Sequence, residues 1–200
     1  MLRGIRDAVR LLRALPAIAL VRRSSQRGVI EHDVRRWVEC LEAGHRDEST
    51  DRQLAWLLAA YPEFRNLLIY RLGAIGRLLR PLYRPMETLH LHVGEIGPGL
   101  FLQHGFATIV VAERIGTDCW INQQVTVGHI YDRGAPTIGD RVTLAAGAVV
   151  LGPVTVGDDS TIGANATVVK DVPPGSVAVS GPTRILPPGS TRGDARKLRS

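Results

Sequence analysis

Cysteine is almost missing from this chain of 200 residues. Cys40 and Cys119 are the only two, and no CxxC pair occurs. That excludes a disulfide framework and suits a reducing, cytoplasmic compartment. Aromatic residues are scarce at 5% and are not interleaved with the basic ones. No nucleic-acid-binding motif is present, so nucleic acid ranks last as a partner despite a net charge of +6. Anionic membrane or an acidic small molecule remains open. Near the start, Ala14 to Val21 is an apolar run of eight with Pro16 inside it, far too short to span a bilayer.

That run lies among Arg3, Arg6, Arg10, Arg13, Arg22, Arg23 and Arg27. Asp7 in the head region and the lack of a small-residue cleavage site argue against a signal peptide. Residues 1–28 form a basic segment with two readings. One is an amphipathic stretch lying on the inner face of a membrane. The other, preferred here, is a loosely packed leading helix or a mobile end. From Val29 the period becomes helical. Ile30, Val34, Trp37, Val38 and Leu41 share one face, and Gly44 follows as a stop. Thr50 and Gln53 have the spacing of a capping box, and Leu54, Leu57, Leu58 and Tyr61 form the next stripe. Pro62 opens a third helix carrying Phe64, Leu67, Leu68, Leu72, Ile75 and Leu79, weakened at Gly73 and Gly76. Residues 29–85 are therefore a helical domain, with Trp37 and Trp56 in its core and Arg65 and Arg71 in solvent.

From Ile96 to Val168 an apolar residue recurs about every six positions: Ile115, Ile121 and Val127, then Ile138, Leu144, Val150, Val156, Ile162 and Val168. Gly116, Gly128, Gly139, Gly157 and Gly163 follow directly, with Ala145 in an equivalent place. Six is neither a helical nor an alternating-strand period. It predicts a solenoid of three-sided coils, eighteen residues each, whose aliphatic residues stack inward and whose glycines supply the corner conformation. Ile138 then sits over Val156, and Leu144 over Ile162. With Ile96, Leu102 and Ile109 included, about four coils result. The rhythm breaks twice. Leu102 to Ile109 holds one residue too many, around His104, and Val127 to Ile138 holds five too many, around His129. Interruptions of a repetitive wall are where chemistry is expected. Beyond Val168, Pro173 and Pro174 end the wall, and residues 187–200 read as a basic flexible tail.

The run IGPGLFLQHG…INQQVTVGH…PTIGDRVTLAAGAVVLGPVTVGDDSTIGANATVVKDVPPG resembles the hexapeptide-repeat acyltransferases and is most similar to the serine acetyltransferase family. YPEFRNLLIYRL, upstream, resembles that family's helical segment. The resemblance implies an α+β chain, with an N-terminal α-helical domain followed by a left-handed parallel β-helix over 90–186. It also implies a homotrimer, in which the helical domain can join two trimers, and acetyl-CoA as co-substrate in a groove between subunits, with no metal. Ile96-Gly97-Pro98-Gly99 leading to Leu102-Gln103-His104 assigns His104 the family's catalytic role. A neutral imidazole there takes the proton of an acceptor hydroxyl as it attacks the thioester. Leu144-Ala145-Ala146-Gly147-Ala148 matches the family's Gly-Ala-Gly-Ala coil, so Ala146, Gly147 and Ala164 are assigned to the pantetheine arm. Lys170 and Arg184 are the candidates for the CoA phosphates.

Three departures bear on the acceptor. Gln103 stands where the family has the aspartate before its histidine. Leu89 stands where a second aspartate is expected. Gly134-Ala135-Pro136 replaces an Arg-His-Pro segment, with Arg133 one place early. A site for free serine, an ammonium and a carboxylate at once, needs charged partners. The expectation is therefore a hydroxyl on a sugar or polysaccharide precursor, with serine the alternative. Gln103, His129, Arg133 and Glu113 are the candidates for the acceptor side, and Glu87, Glu95 or Glu113 for a carboxylate orienting His104. A zinc enzyme of the carbonic anhydrase type, which shares the fold, needs three histidines on one metal, and the spacing of His90, His92, His104 and His129 does not supply it. A non-catalytic scaffold is the remaining reading.

Overall fold

The computed structural model describes residues 2–42, 44–130 and 134–181. Four helices precede the solenoid: α1 (Leu2–Arg23), α2 (Arg27–Cys40), α3 (Thr50–Ala60) and α4 (Pro62–Arg77). The helical stripes bury as their spacing requires, with Ile30, Val34, Trp37 and Val38 on α2, Leu54, Leu57 and Leu58 on α3, and Phe64, Leu67 and Leu68 on α4. Ile75 departs from its stripe and is 54% exposed, because Gly73 breaks the helix at φ 58 and rotates the last turn of α4. Thr50 and Gln53 form no capping box; the Gln53 amide instead donates to His45 O at 2.9 Å. The leading helix read in the arginine-rich start is present, and its packing is not loose. α1 lies along α3 and buries Ala14, Ala17, Ile18 and Val21 in the common core, while Ile5, Val9, Leu12 and Leu15 on its other side are exposed.

Each face of the solenoid is a stack of parallel strands. The first face runs through the leading halves of β1 (Leu89–Ile96) and β3 (Thr108–Ile115), then β5 (Thr126–Gly128), β8 (Val149–Leu151) and β11 (Thr167–Val168). The second uses the trailing halves of β1 and β3, then β6 (Thr137–Ile138), β9 (Thr155–Val156) and a bridge to Val172. The third stacks β2 (Phe101–Leu102), β4 (Trp120–Ile121), β7 (Thr143–Leu144), β10 (Thr161–Ile162) and β12 (Val177–Ala178). This is a left-handed β-helix of five levels, one more than the repeat alone predicts. Ile138 pairs with Val156 and Leu144 with Ile162. All four are essentially buried, each worth roughly 1.5–3 kcal/mol against exposure.

Two expectations about the wall are corrected. The inward residue of the first face is Val110, fully buried, and not Ile109, which is 46% exposed. Pairing of Val110 with Val127 fixes this register. The interruption around His104 therefore holds two extra residues, and the next side, Val110 to Ile115, is one short. The glycines also have a different task. A Cβ on Gly97 would meet the backbone of Gly116 at 2.7 Å, and one on Gly157 would meet Pro174 N at 2.5 Å. These glycines let successive levels approach. The left-handed corner lies two residues later, at Asp118, Arg141 and Asp159 (φ 54–59), with Gln124, Gly147 and Asn165 equivalent on the next side. Asp and Asn adopt that region at low cost, which accounts for three of the six.

Side chains from the helices hold the first level. Trp37 Nε1 donates to Leu100 O at 2.8 Å, and its ring packs edge-on against Phe64 and Phe101. Arg71, expected in solvent, is buried. It donates to both carboxylate oxygens of Asp33, at 2.8 and 3.1 Å, and to the carbonyls of Ile96 and Gly97. Asp33 also accepts from Gly99 N at 2.7 Å. Arg65, also expected in solvent, is half-buried and donates to Leu58 O and Ala59 O at the end of α3.

Candidate active site

The extra residues between β2 and β3 leave the wall as a short loop. Gln103 N still donates to Ile121 O at 2.9 Å, so pairing continues up to the residue before His104. His104 then takes φ 54 and Ala107 φ 52, and Phe106 N donates back to His104 O at 2.6 Å. The reversal leaves His104 exposed. Its ring has no hydrogen-bond partner among the described residues. Ala107 is level with the ordinary left-handed corners Gln124, Gly147 and Asn165, whereas His104 is an additional non-glycine residue in that region, strain of the kind that collects at functional sites.

The loop stands at the corner between the third and first faces, and one edge of the prism continues from it. Gln124 N donates to Phe106 O, Gly147 N to Gln123 O and Asn165 N to Ala146 O, at 3.0–3.1 Å. His104, Ala146, Gly147 and Ala164 therefore share one edge. At roughly 4.8 Å per level, Ala146 lies about 10 Å and Ala164 about 14 Å along it. Ala146 is half-buried and Ala164 exposed, so the edge beyond the loop is narrow. Gly147 (φ 70) has a second reason to be glycine: a Cβ there would collide with the Asn165 amide.

Glu113, His129 and Lys170 are all exposed and lie at another corner, between the first and second faces. Glu113 N bonds Pro136 O at 2.9 Å, His129 directly follows β5, and Lys170 follows β11. Within one chain these three do not meet His104. Gln103 is half-buried beside it. Arg133 and Arg184 lie outside the described residues. Glu87 and Glu95 are exposed, and none of the three glutamates named for His104 hydrogen-bonds to it. His90 and His92 stack on β1 with rings 6.3 Å apart, and neither hydrogen-bonds to His104.

The carboxylate against the loop is one that sequence reasoning missed. Glu63, in the first turn of α4, is 8% exposed. A Cβ on Gly105 would stand 3.2 Å from Glu63 Cγ and 3.1 Å from Leu89 Cδ2, so Glu63 and Leu89 together floor the turn through His104. Burial, and next the charge of Glu63, raise the neighbouring Tyr61 phenol above its ordinary range. Nothing in the local pattern of α4 marks Glu63, because an acid in a helix's first turn is commonplace.

Comparison with known proteins bears directly on this geometry. The model of the bacterial transferase hexapeptide family (six repeats) matches residues 135–170, the regular upper wall. A serine acetyltransferase of Helicobacter pylori is 37% identical over 160 residues, covering 73% of this chain and 94% of its own length. The chain belongs to the serine acetyltransferase family. Another member, from Synechocystis, is 40% identical over 153 residues, covering 68% of this chain and 61% of its own. Among solved structures, Neisseria gonorrhoeae serine acetyltransferase in complex with serine superimposes with a TM-score of 0.60 at 23% identity, covering 84% of this chain and 72% of that one. That likeness concerns the fold. Membership of the family makes this acetyltransferase a transferase of the hexapeptide type.

Proposed function

We propose that this family member is an acetyl-CoA-dependent O-acetyltransferase acting on a hydroxyl of a saccharide or polysaccharide precursor. The observation that carries the reading is the edge headed by His104: one exposed imidazole on a strained turn, then a column of small residues long enough for a pantetheine arm. His104, neutral, takes the acceptor's proton as the hydroxyl oxygen attacks the thioester carbonyl. The tetrahedral adduct then collapses, the C–S bond breaks, and the imidazolium returns the proton to the departing thiolate. A base of this kind contributes about two to four powers of ten. Leu89 and Gln103, where relatives with serine as acceptor are expected to carry acids, favour a neutral acceptor over an ammonium. Serine remains the alternative, since it is what the relatives are named for.

The two corners complete one site when they come from neighbouring protomers. In a homotrimer, His104 and the small-residue edge of one chain face Glu113, His129, Arg133 and Lys170 of the next, and Lys170 and Arg184 are the cations for CoA phosphates. The outer face of α1 supports a location at a membrane surface. Among the described residues no helix is long and apolar enough to cross a membrane. The exposed Ile5, Val9, Leu12 and Leu15 are flanked by Arg6, Arg10 and Arg13, and Val9 shares a cavity wall with Leu82. An anionic lipid surface on the cytoplasmic side fits that face better than a second copy, which would bring the same arginines against it. Thiol release from acetyl-CoA, measured with L-serine, L-homoserine, free hexoses and nucleotide-linked hexoses, tests the acceptor. Turnover on a hexose and not on serine is expected, and turnover on serine alone overturns the saccharide reading. Sedimentation velocity of a trimer, and co-sedimentation with anionic but not neutral vesicles, test the assembly and the lipid contact.

A further inference from the structure

We propose that Glu63 is the acceptor-binding carboxylate of the His104 site, accepting hydrogen bonds from acceptor hydroxyls. The proposal rests on the acetyltransfer reading and deepens it.

Glu63 is more than nine-tenths buried, yet its carboxylate has no hydrogen bond and no ion pair among the described residues. Its oxygens are not sealed from solvent, so the carboxylate tip is what a residue with a buried stem keeps at the surface, open to a ligand; carboxylates so enclosed are normally paired by the protein. Two others in the helical layer are paired. Asp33, buried, takes Arg71 through both oxygens and Gly99 N besides. Asp51, in the first turn of α3 as Glu63 is in that of α4, is only part-buried and is bonded by Arg22. Position at a helix start therefore does not by itself explain why Glu63 is unpaired, although the helix dipole favours a negative charge there.

Its surroundings say what it faces. Glu63 and Leu89 lie under Gly105, the residue after His104. Gly105 is buried and Leu89 is 4% exposed, so a small molecule presenting a hydroxyl to His104 has an apolar wall and one carboxylate beneath it. Two oxygens suit a pair of neighbouring hydroxyls, each donating to one. With hydrophobic Leu89 and neutral Gln103 alongside, the ligand class is a neutral polyol. Glu63 is then the specificity-determining residue on the acceptor side, distinct from the base.

The test is steady-state kinetics of the full-length enzyme and its Glu63→Ala and Glu63→Gln variants. It uses acetyl-CoA with each acceptor of the panel that the wild type turns over, and melting temperatures show that the variants fold. Loss of hydrogen bonds to a charged group raises the acceptor KM of Glu63→Ala about ten- to a hundredfold, with the acetyl-CoA KM unchanged. Glu63→Gln, nearly the same shape and still able to accept one hydroxyl, raises it only about three- to tenfold. An unchanged acceptor KM overturns the assignment, as does a fall in kcat alone, which would mean that Glu63 acts through His104. A Glu63→Gln loss as large as that of Glu63→Ala overturns the neutral-polyol class. Absence of thiol release by the wild-type enzyme with every acceptor overturns the acetyltransfer reading and this assignment with it; wild-type turnover with an unaltered variant KM overturns this assignment alone.

Discussion

The upper wall, Ile138 to Val168, and the first coil, Ile96 to Ile115, are built from the same six-residue unit and behave differently. In the upper wall every inward residue has a partner eighteen positions away, and every corner repeats. Its backbone is satisfied level by level, so nothing is left over to react. In the first coil two surplus residues leave the ladder, turn back on themselves and expose an imidazole, while a helix supplies the buried acid beneath it. Regularity gives the stack its stability, and the reactive group sits where regularity lapses.

The largest expected effect lies in the lapse. His104→Ala lowers turnover by about two to four powers of ten while melting temperature and oligomeric state are kept; retention of wild-type turnover removes His104 as the base. Next is the join between helices and coil. Arg71→Ala leaves Asp33 buried without its partner and destabilises by about 3–5 kcal/mol in urea unfolding. A third test sets the two regions directly against each other with one substitution. Gly157→Ala forces a methyl onto Pro174 at 2.5 Å and costs about 1–3 kcal/mol. Gly105→Ala meets only side-chain atoms of Leu89 and Glu63, so it lowers stability less and activity more. Equal unfolding losses in the two variants would erase the distinction between wall and loop. The smallest effect concerns Cys119. Burial pushes its thiol up to about 11, so it stays protonated at neutral pH. Alkylation of the native protein is then slow and becomes fast on unfolding.

Much of this contrast can be read in the residues themselves. The stacking of Ile138 on Val156 comes from counting by six, and the helical stripes of α2 and α3 from counting by 3.6. Counting fails at Ile109 and Val110, where two adjacent aliphatic residues satisfy it equally and only the pairing with Val127 decides. It also fails at Arg71 and Glu63. Their spacing is that of solvated helix positions, and what buries them is a coil more than twenty residues further on. Glu63 touches the loop at Gly105 through space, a contact that no spacing within α4 could mark.

The bonds from Trp37 to Leu100 O and from Arg71 to Ile96 O and Gly97 O carry one more consequence. Those carbonyls point out of the bottom of the stack, where another rung would dock. A parallel ladder with open ends is a template for endless growth, one molecule on the next. Here indole and guanidinium occupy the docking points, so the thread has a blocked first turn and the molecule cannot lengthen into a fibre from that end.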